Sequence, residues 1–252
     1  MIVNILTYCP SEFEFYGNSL IFKTLRVGFP NAKIFVYDNA SPIELSVKIK
    51  NLAEEKNCYF TRLEKEIPHY HYLEYCIANN NTNEPIIFLD PDICFWKNCE
   101  NWKFNGLLAG RLIPEFYDDF SKCITHARIH TSFLWIPNTN KLLEEINNID
   151  KFKHQKTSLH FNEFMYFIKN KWFRFDTAAM LYSLFKNQII CFGKNELNAY
   201  DHLFYGTHLN MVKNTLSQLT KTHEQVKKNY KSIKGVWKKQ DEYFNDRKII
   251  NE

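Results

Sequence analysis

Pro85-Ile86-Ile87-Phe88-Leu89-Asp90-Pro91-Asp92-Ile93-Cys94-Phe95-Trp96 decides the fold of this chain. An apolar run passes directly into two carboxylates spaced i and i+2. Side chains two apart on extended backbone point to the same side, so Asp90 and Asp92 can converge at the strand's carboxyl end. Two close carboxylates repel unless a cation lies between them. Hard divalent ions, Mg²⁺ or Mn²⁺, take such oxygens together with substrate phosphates. The competing reading is a turn in which one Asp caps and the other faces water.

Working outward, the segments before this stretch alternate in period. Ile2 to Thr7 reads as a strand. Ser11-Glu12-Phe13-Glu14 reads as a capping box opening a helix that stops near Gly28, with Pro30 just beyond. Lys33 to Tyr37 is a second strand, followed by the polar turn Asp38-Asn39-Ala40-Ser41. Ser41-Pro42-Ile43-Glu44 reads as a second capping box with Pro42 at the first helical position, and its helix runs to about Lys56. A strand near Cys58 to Leu63 and a helix over Tyr70 to Asn79 lead to the strand ending in Asp90. Strands alternating with helices predict an α/β fold with a mostly parallel sheet covered on both faces. In such sheets ligands sit at the carboxyl ends of the strands. Three polar turns, Thr7 to Ser11, Asp38 to Ser41 and Asp90 to Asp92, are expected at that edge.

With these residues in view, the sequence resembles GT-A type glycosyltransferases, the nucleotide-sugar-dependent class with a DxD motif. The resemblance is carried by Phe35-Val36-Tyr37-Asp38-Asn39-Ala40-Ser41, by His69 to Tyr75, and by Phe88-Leu89-Asp90-Pro91-Asp92, and covers the first 110 residues or so. Weaker echoes lie in His130 to Ile136, in Phe175-Asp176-Thr177 and in His202 to His208. It implies a GT-A-like fold and transfer of a hexose or related sugar from a nucleoside-diphosphate sugar, a UDP-sugar first, with Mn²⁺ or Mg²⁺. It implies a donor-binding group of Thr7, Tyr8, Asp38, Asn39, Ser41, His71 and Asp90. Asp90 and Asp92 would face the metal, with His202 or His208 joining them. A carboxylate at a late helix start often faces the acceptor in that family, which makes Asp176 the leading base candidate and Glu163 a weaker one. As bland roles, Asp176 caps its helix and the histidines pack as ordinary aromatics.

The chain has 252 residues and 45% hydrophobic content, enough for a single α/β domain with a sizeable core. It divides into a catalytic unit, 1–210, and a basic amphipathic helix, 211–252. The unit's first half, 1–110, would bind the nucleotide sugar, and 111–210 would bind the acceptor. His126-Ala127-Arg128 and the aromatic Pro114 to Phe120 segment belong to the second half and read either as a sugar-recognising segment or as an ordinary surface loop. Val212, Leu216, Leu219, His223, Val226, Tyr230, Ile233 and Trp237 repeat every seven residues beside a lysine-rich face. That pattern fits docking on the core, self-association, or contact with an anionic membrane or nucleic acid. No run approaches ~20 apolar residues, the length of a membrane-spanning helix, and the start lacks the features of a signal peptide. Seven cysteines without a CxxC pair fit a reduced chain. The expected location is cytoplasmic, with peripheral attachment to the inner face of a membrane as an option. A net charge of +4 permits anionic substrates without arguing for nucleic acid.

Three other classes compete. A DxD phosphatase would carry its aspartates after the first strand, whereas this pair follows the fourth. A sugar nucleotidyltransferase would have a Gly- and Arg-rich first loop, which Thr7 to Ser11 is not. A non-catalytic nucleotide- or sugar-binding protein would keep the same turns.

Overall fold

A computed structural model describes residues 1–80, 83–118, 121–150 and 159–202. The 211–252 helix and His208 lie outside the described residues.

The first half follows the alternation of its sequence: β1 (Ile2–Thr7), α1 (Glu12–Ser19), α2 (Ile21–Gly28), β2 (Lys33–Asp38), α3 (Ile43–Glu55), β3 (Tyr59–Arg62), α4 (His69–Asn79) and β4 (Ile86–Leu89). Beyond the aspartate turn come β5 (Ile93–Phe95), β6 (Leu108–Ile113), β7 (Phe116–Asp118), β8 (Cys123–Thr125), β9 (Arg128–Ile136) and α5 (Thr139–Asp150). They are followed by β10 (Phe164–Ile168), β11 (Lys171–Phe175), α6 (Ala179–Phe185), β12 (Ile189–Cys191), α7 (Lys194–Leu197) and β13 (Tyr200–His202).

The main sheet has seven strands in the order β12-β6-β9-β4-β1-β2-β3. Six run in one direction, and β9 is antiparallel to both of its neighbours. The fold is therefore mixed α/β with a mostly parallel sheet, as the sequence implied. The sheet crosses the expected boundary at residue 110, since β9 and β12 come from the second half.

Helices cover both faces. Val3 and Ile5 point into one core with Ile21, Phe22 and Leu25 of α2 and Leu45 and Ile49 of α3. Ile2 and Leu6, one residue out of phase, face the other core with Leu73 and Ile77 of α4, Leu142 and Ile146 of α5, and Leu181 of α6. The central strands are apolar on both sides because both sides are buried.

Three local expectations change. The single helix from Ser11 to Gly28 is two. Leu20 keeps helical backbone angles, but the Ile21 N–H leaves the ladder and donates to the Pro91 carbonyl at 3.1 Å. Second, Ser41 does not cap α3. Its hydroxyl donates to Asp38 Oδ1 at 2.5 Å and accepts from the Cys9 N–H at 2.8 Å, and Pro42 takes the N-cap position. Third, the segment after β6 is no ordinary loop. β7 and β8 pair with β11 and β10 in a second, four-stranded sheet, order β10-β11-β8-β7. No helix among the described residues is long and apolar enough to cross a membrane.

Candidate metal centre

The aspartate turn is fixed from three sides. The Asp90 N–H donates to Ser132 O of β9 at 2.7 Å, Pro91 O receives the Ile21 N–H, and the Phe95 N–H donates to the Thr24 hydroxyl at 2.8 Å. β5 then pairs antiparallel with β13, placing His202 opposite Ile93. That register brings a late histidine beside Asp92. His202 Nε2 lies 3.3 Å from Asp92 Oδ1 and 3.8 Å from Asp90 Oδ2. Among the described residues, Asp90, Asp92 and His202 form the group whose ligand atoms fall within 4.8 Å of one another.

This donor set fits a hard divalent cation. Ligands at about 2.1 Å from one ion are separated by roughly 3–4 Å, and both histidine–carboxylate distances fall in that range. The electrostatics agree. Burial, then the neighbouring Asp92, raise the Asp90 carboxyl above its ordinary value, against His69 and His202. With 31% of its side chain accessible, water moderates that shift. Burial opposes charge on His202, yet Asp92 and Asp90 hold it above the ordinary imidazole value. Two carboxylates seeking positive charge, beside an imidazole able to give up its proton, suit a cation.

His69 begins α4, and its Nε2 stands 3.9 Å from Asp90 Oδ1. His71 is exposed, its ring 4.4 Å from that of Tyr70. Of the two histidines at this helix start, His69 is the one beside the aspartate turn.

The other turns gather at the same edge, with their polar side chains spent internally. Thr7 is fully buried and donates to Tyr37 O at 3.2 Å. Asp38 is also fully buried, held by Ser41, with Arg62 Nε 3.8 Å from its other oxygen. Asn39 exchanges two hydrogen bonds with the backbone of Ile67, at 3.0 and 2.9 Å. Tyr8 donates through its hydroxyl to Glu66 at 3.0 Å.

Two residues at the centre were not read as site residues from the sequence: His130 and Arg111. The β6–β9 register slips between Gly110 and Leu112, so β9 carries extra residues there. Such irregularities re-aim side chains. The His130 ring packs at 5.1 Å from that of His202, and Arg111 is close enough to act on both imidazoles.

His130 is held neutral. Burial above all, then the charges of His202, Arg128 and Arg111, press its pKa well below 6.5, and its Nδ1 accepts the Ser132 N–H at 3.1 Å. Unfolded, it would titrate near 6.5. Below that pH the unfolded chain takes up a proton that the folded chain refuses, so stability falls as pH falls. His130→Asn keeps an acceptor for Ser132 without the titration. Thermal and urea unfolding between pH 7.5 and 5.5 should show a shallower loss in the variant, by up to about 1.4 kcal/mol per pH unit. Equal slopes would show that His130 is not the group responsible.

Asp176 lies at a second cluster. It is not a side-chain cap of α6: the N-cap position falls on Ala178, without a side-chain bond. Arg128 Nη2 sits 2.7 Å from Asp176 Oδ2, and Arg174 Nη2 sits 3.5 Å from Oδ1. Arg174 Nη2 also bonds Glu163 at 3.1 Å, so the two base candidates share one arginine.

No protein-family model and no curated protein matches the chain. Among solved structures, the glycosyltransferase GlyE of Streptococcus pneumoniae TIGR4 is 14% identical over 85% of this chain and 50% of its own, with a TM-score of 0.44. The galactosyltransferase LgtC, in complex with donor and acceptor sugar analogs, is 11% identical over 76% of this chain and 73% of its own, at 0.42. The mannosyltransferase PcManGT of Pyrobaculum calidifontis, in complex with GDP-Man and Mn²⁺, is 14% identical over 56% and 45%, at 0.38. The chain spans half the length of GlyE. Likenesses this distant stand beside the fold and decide nothing about activity; the functional reading rests on the residues at the sheet edge.

Proposed function

We propose that this chain is a metal-dependent glycosyltransferase, hexosyltransferase-like, moving a sugar from a nucleoside-diphosphate donor, a UDP-sugar first, to a hydroxyl-bearing acceptor. The observation that carries this reading is the convergence of Asp90, Asp92 and His202 at the carboxyl edge of a mostly parallel sheet, beside the turns after β1 and β2. The DxD resemblance of the sequence points the same way.

Asp92, 2% exposed, would anchor the cation, and Asp90, reaching solvent, would face the donor. His202 would complete the set, giving up its proton to the cation's charge, with His208, outside the described residues, as the other candidate. When bound, Mn²⁺ or Mg²⁺ supplies the positive charge that a departing diphosphate needs. The donor's nucleoside would lie against the turns of Thr7, Tyr8, Asp38, Asn39 and Ser41. Because Thr7, Asp38 and Ser41 are buried, they would act chiefly by fixing turn backbone, leaving Tyr8 and His69 to meet the ligand directly, with exposed His71 reaching it only from farther along α4. Asp176, oriented by two arginines, would face the acceptor. The cysteine usage supports a cytoplasmic setting; self-association or peripheral membrane contact through 211–252 is a separate proposal outside the described residues.

Incubating the protein with a panel of nucleoside-diphosphate sugars and Mn²⁺ tests this. Free nucleoside diphosphate should appear, stop on adding EDTA, and resume on adding excess metal. Mn²⁺-dependent binding without release would leave a non-catalytic binding protein instead. A donor at 100 times its dissociation constant should raise stability by about 2.7 kcal/mol, so thermal shifts can rank the panel.

A further inference from the structure

We infer that the charged cluster joining β9, β11 and the start of α6 is a clamp for the hydroxyl groups of a neutral saccharide. Calling that saccharide the acceptor rests on the transferase reading above; the clamp itself rests on the geometry.

The cluster is tightly braced. Beyond the arginine contacts, the Thr177 hydroxyl donates to Glu163 Oε1 at 2.6 Å and the Thr177 N–H donates to Asp176 Oδ1 at 2.9 Å. One donor is left over. The Arg128 side chain is 14% exposed, and its Nη1 is buried without a hydrogen-bond partner among the described residues. Leaving a buried polar donor unpaired is costly, the more so when it is charged, and such a group calls for a further partner. The partner must offer an oxygen, because guanidinium only donates.

Charge selects which oxygen. Two guanidinium groups already face Asp176 and Glu163, and Asp118 is a third carboxylate close enough to act on Arg128. A phosphate or carboxylate would enter a region whose positive charge is spent. A sugar hydroxyl meets no such penalty: its oxygen accepts from Nη1 while its proton turns to a carboxylate lone pair. Location supports the same role. Arg128 and His130 are two apart on β9, and the Arg128 charge reaches the His130 imidazole. The His130 ring lies against that of His202. The clamp is thus one strand step from the metal centre.

The test uses the full chain labelled with ¹⁵N-arginine, reading the side-chain Nε–Hε signals. Glucose, galactose, N-acetylglucosamine and lactose are titrated as neutral probes, with glucose 6-phosphate and glucuronate as their anionic counterparts. The Arg128 and Arg174 signals should move with at least one neutral sugar and less with either anion. Arg128→Lys keeps a cation for Asp176 but not the second forked donor. It should bind that sugar about tenfold or more weakly, the scale of one hydrogen bond to a charged group. The wild-type titration decides without the variant if the variant does not fold. Silence of both arginines toward every neutral sugar, a larger response to glucose 6-phosphate, or competitive displacement of the sugar by UDP with Mn²⁺ overturns the clamp. Paramagnetic broadening by Mn²⁺ near Asp92 and His202 reports the metal centre separately. Broadening without a sugar response removes the clamp alone; a sugar response without broadening removes the metal reading alone.

Discussion

Replacing Asp92 by alanine is expected to abolish metal-linked donor binding and to cut sugar transfer by about 10³-fold or more, the several kcal/mol contributed by a cation at a departing diphosphate. The effect should be specific. Asp92 is buried beside Asp90 and His202, and two facing carboxylates strain the metal-free chain. Removing Asp92 relieves that repulsion but also takes a partner from buried His202, so circular dichroism and a melting curve are read alongside to separate loss of the site from loss of the fold. Asp90→Ala should do less harm to metal affinity, because Asp90 is partly in water and its backbone N–H, which ties the turn to Ser132, is kept. Mn²⁺ titration calorimetry and nucleotide release measure the two effects. Undiminished transfer by Asp92→Ala would falsify the metal assignment.

The part of the site that could be read in the sequence is the part made by local pattern. β4 stops at Leu89, just before Asp90, because an apolar run meets the Asp90-Pro91 turn, and the parallel order follows from strand and helix periods that alternate through residue 90. Partnerships made by distant pairing were not readable from residues alone. His202 came only from resemblance, since nothing local says that β13 pairs with β5. The four-stranded sheet was missed because β7 and β8 have three residues each, too few to show a period. Ser41 misled because it has a carboxylate three residues away on either side: Glu44 would complete a capping box, but the hydroxyl bonds Asp38. Asp176 misled in a similar way. An aspartate before a helix suggests a cap, and only the fold shows that Arg128 and Arg174 reach it first.

Gly110 shows how one position couples fold and site. The β6–β9 register slips there, and β9 closes over the glycine. A Cβ at 110 would press on Ile129 Cγ2 and lie 3.1 Å from the Phe133 carbonyl. Ile129 is β-branched and fully buried, so it has no free rotamer into which to retreat. Gly110→Ala should therefore destabilise the chain by about 1–3 kcal/mol, the scale of an overpacked core, as measured by urea unfolding. The displaced segment carries His130 and Ser132, and Ser132 O holds the Asp90 N–H. Mn²⁺ affinity should fall with stability, although Gly110 itself offers no ligand. Ile129→Ala opens room at the worse of the two contacts. Combined with Gly110→Ala it should destabilise by less than the sum of the single changes, the sign of a direct contact in a double-mutant cycle. It should also recover part of the metal affinity. Additive losses, or Mn²⁺ binding untouched by Gly110→Ala, would mean that the irregularity in β9 does not hold the metal centre in place.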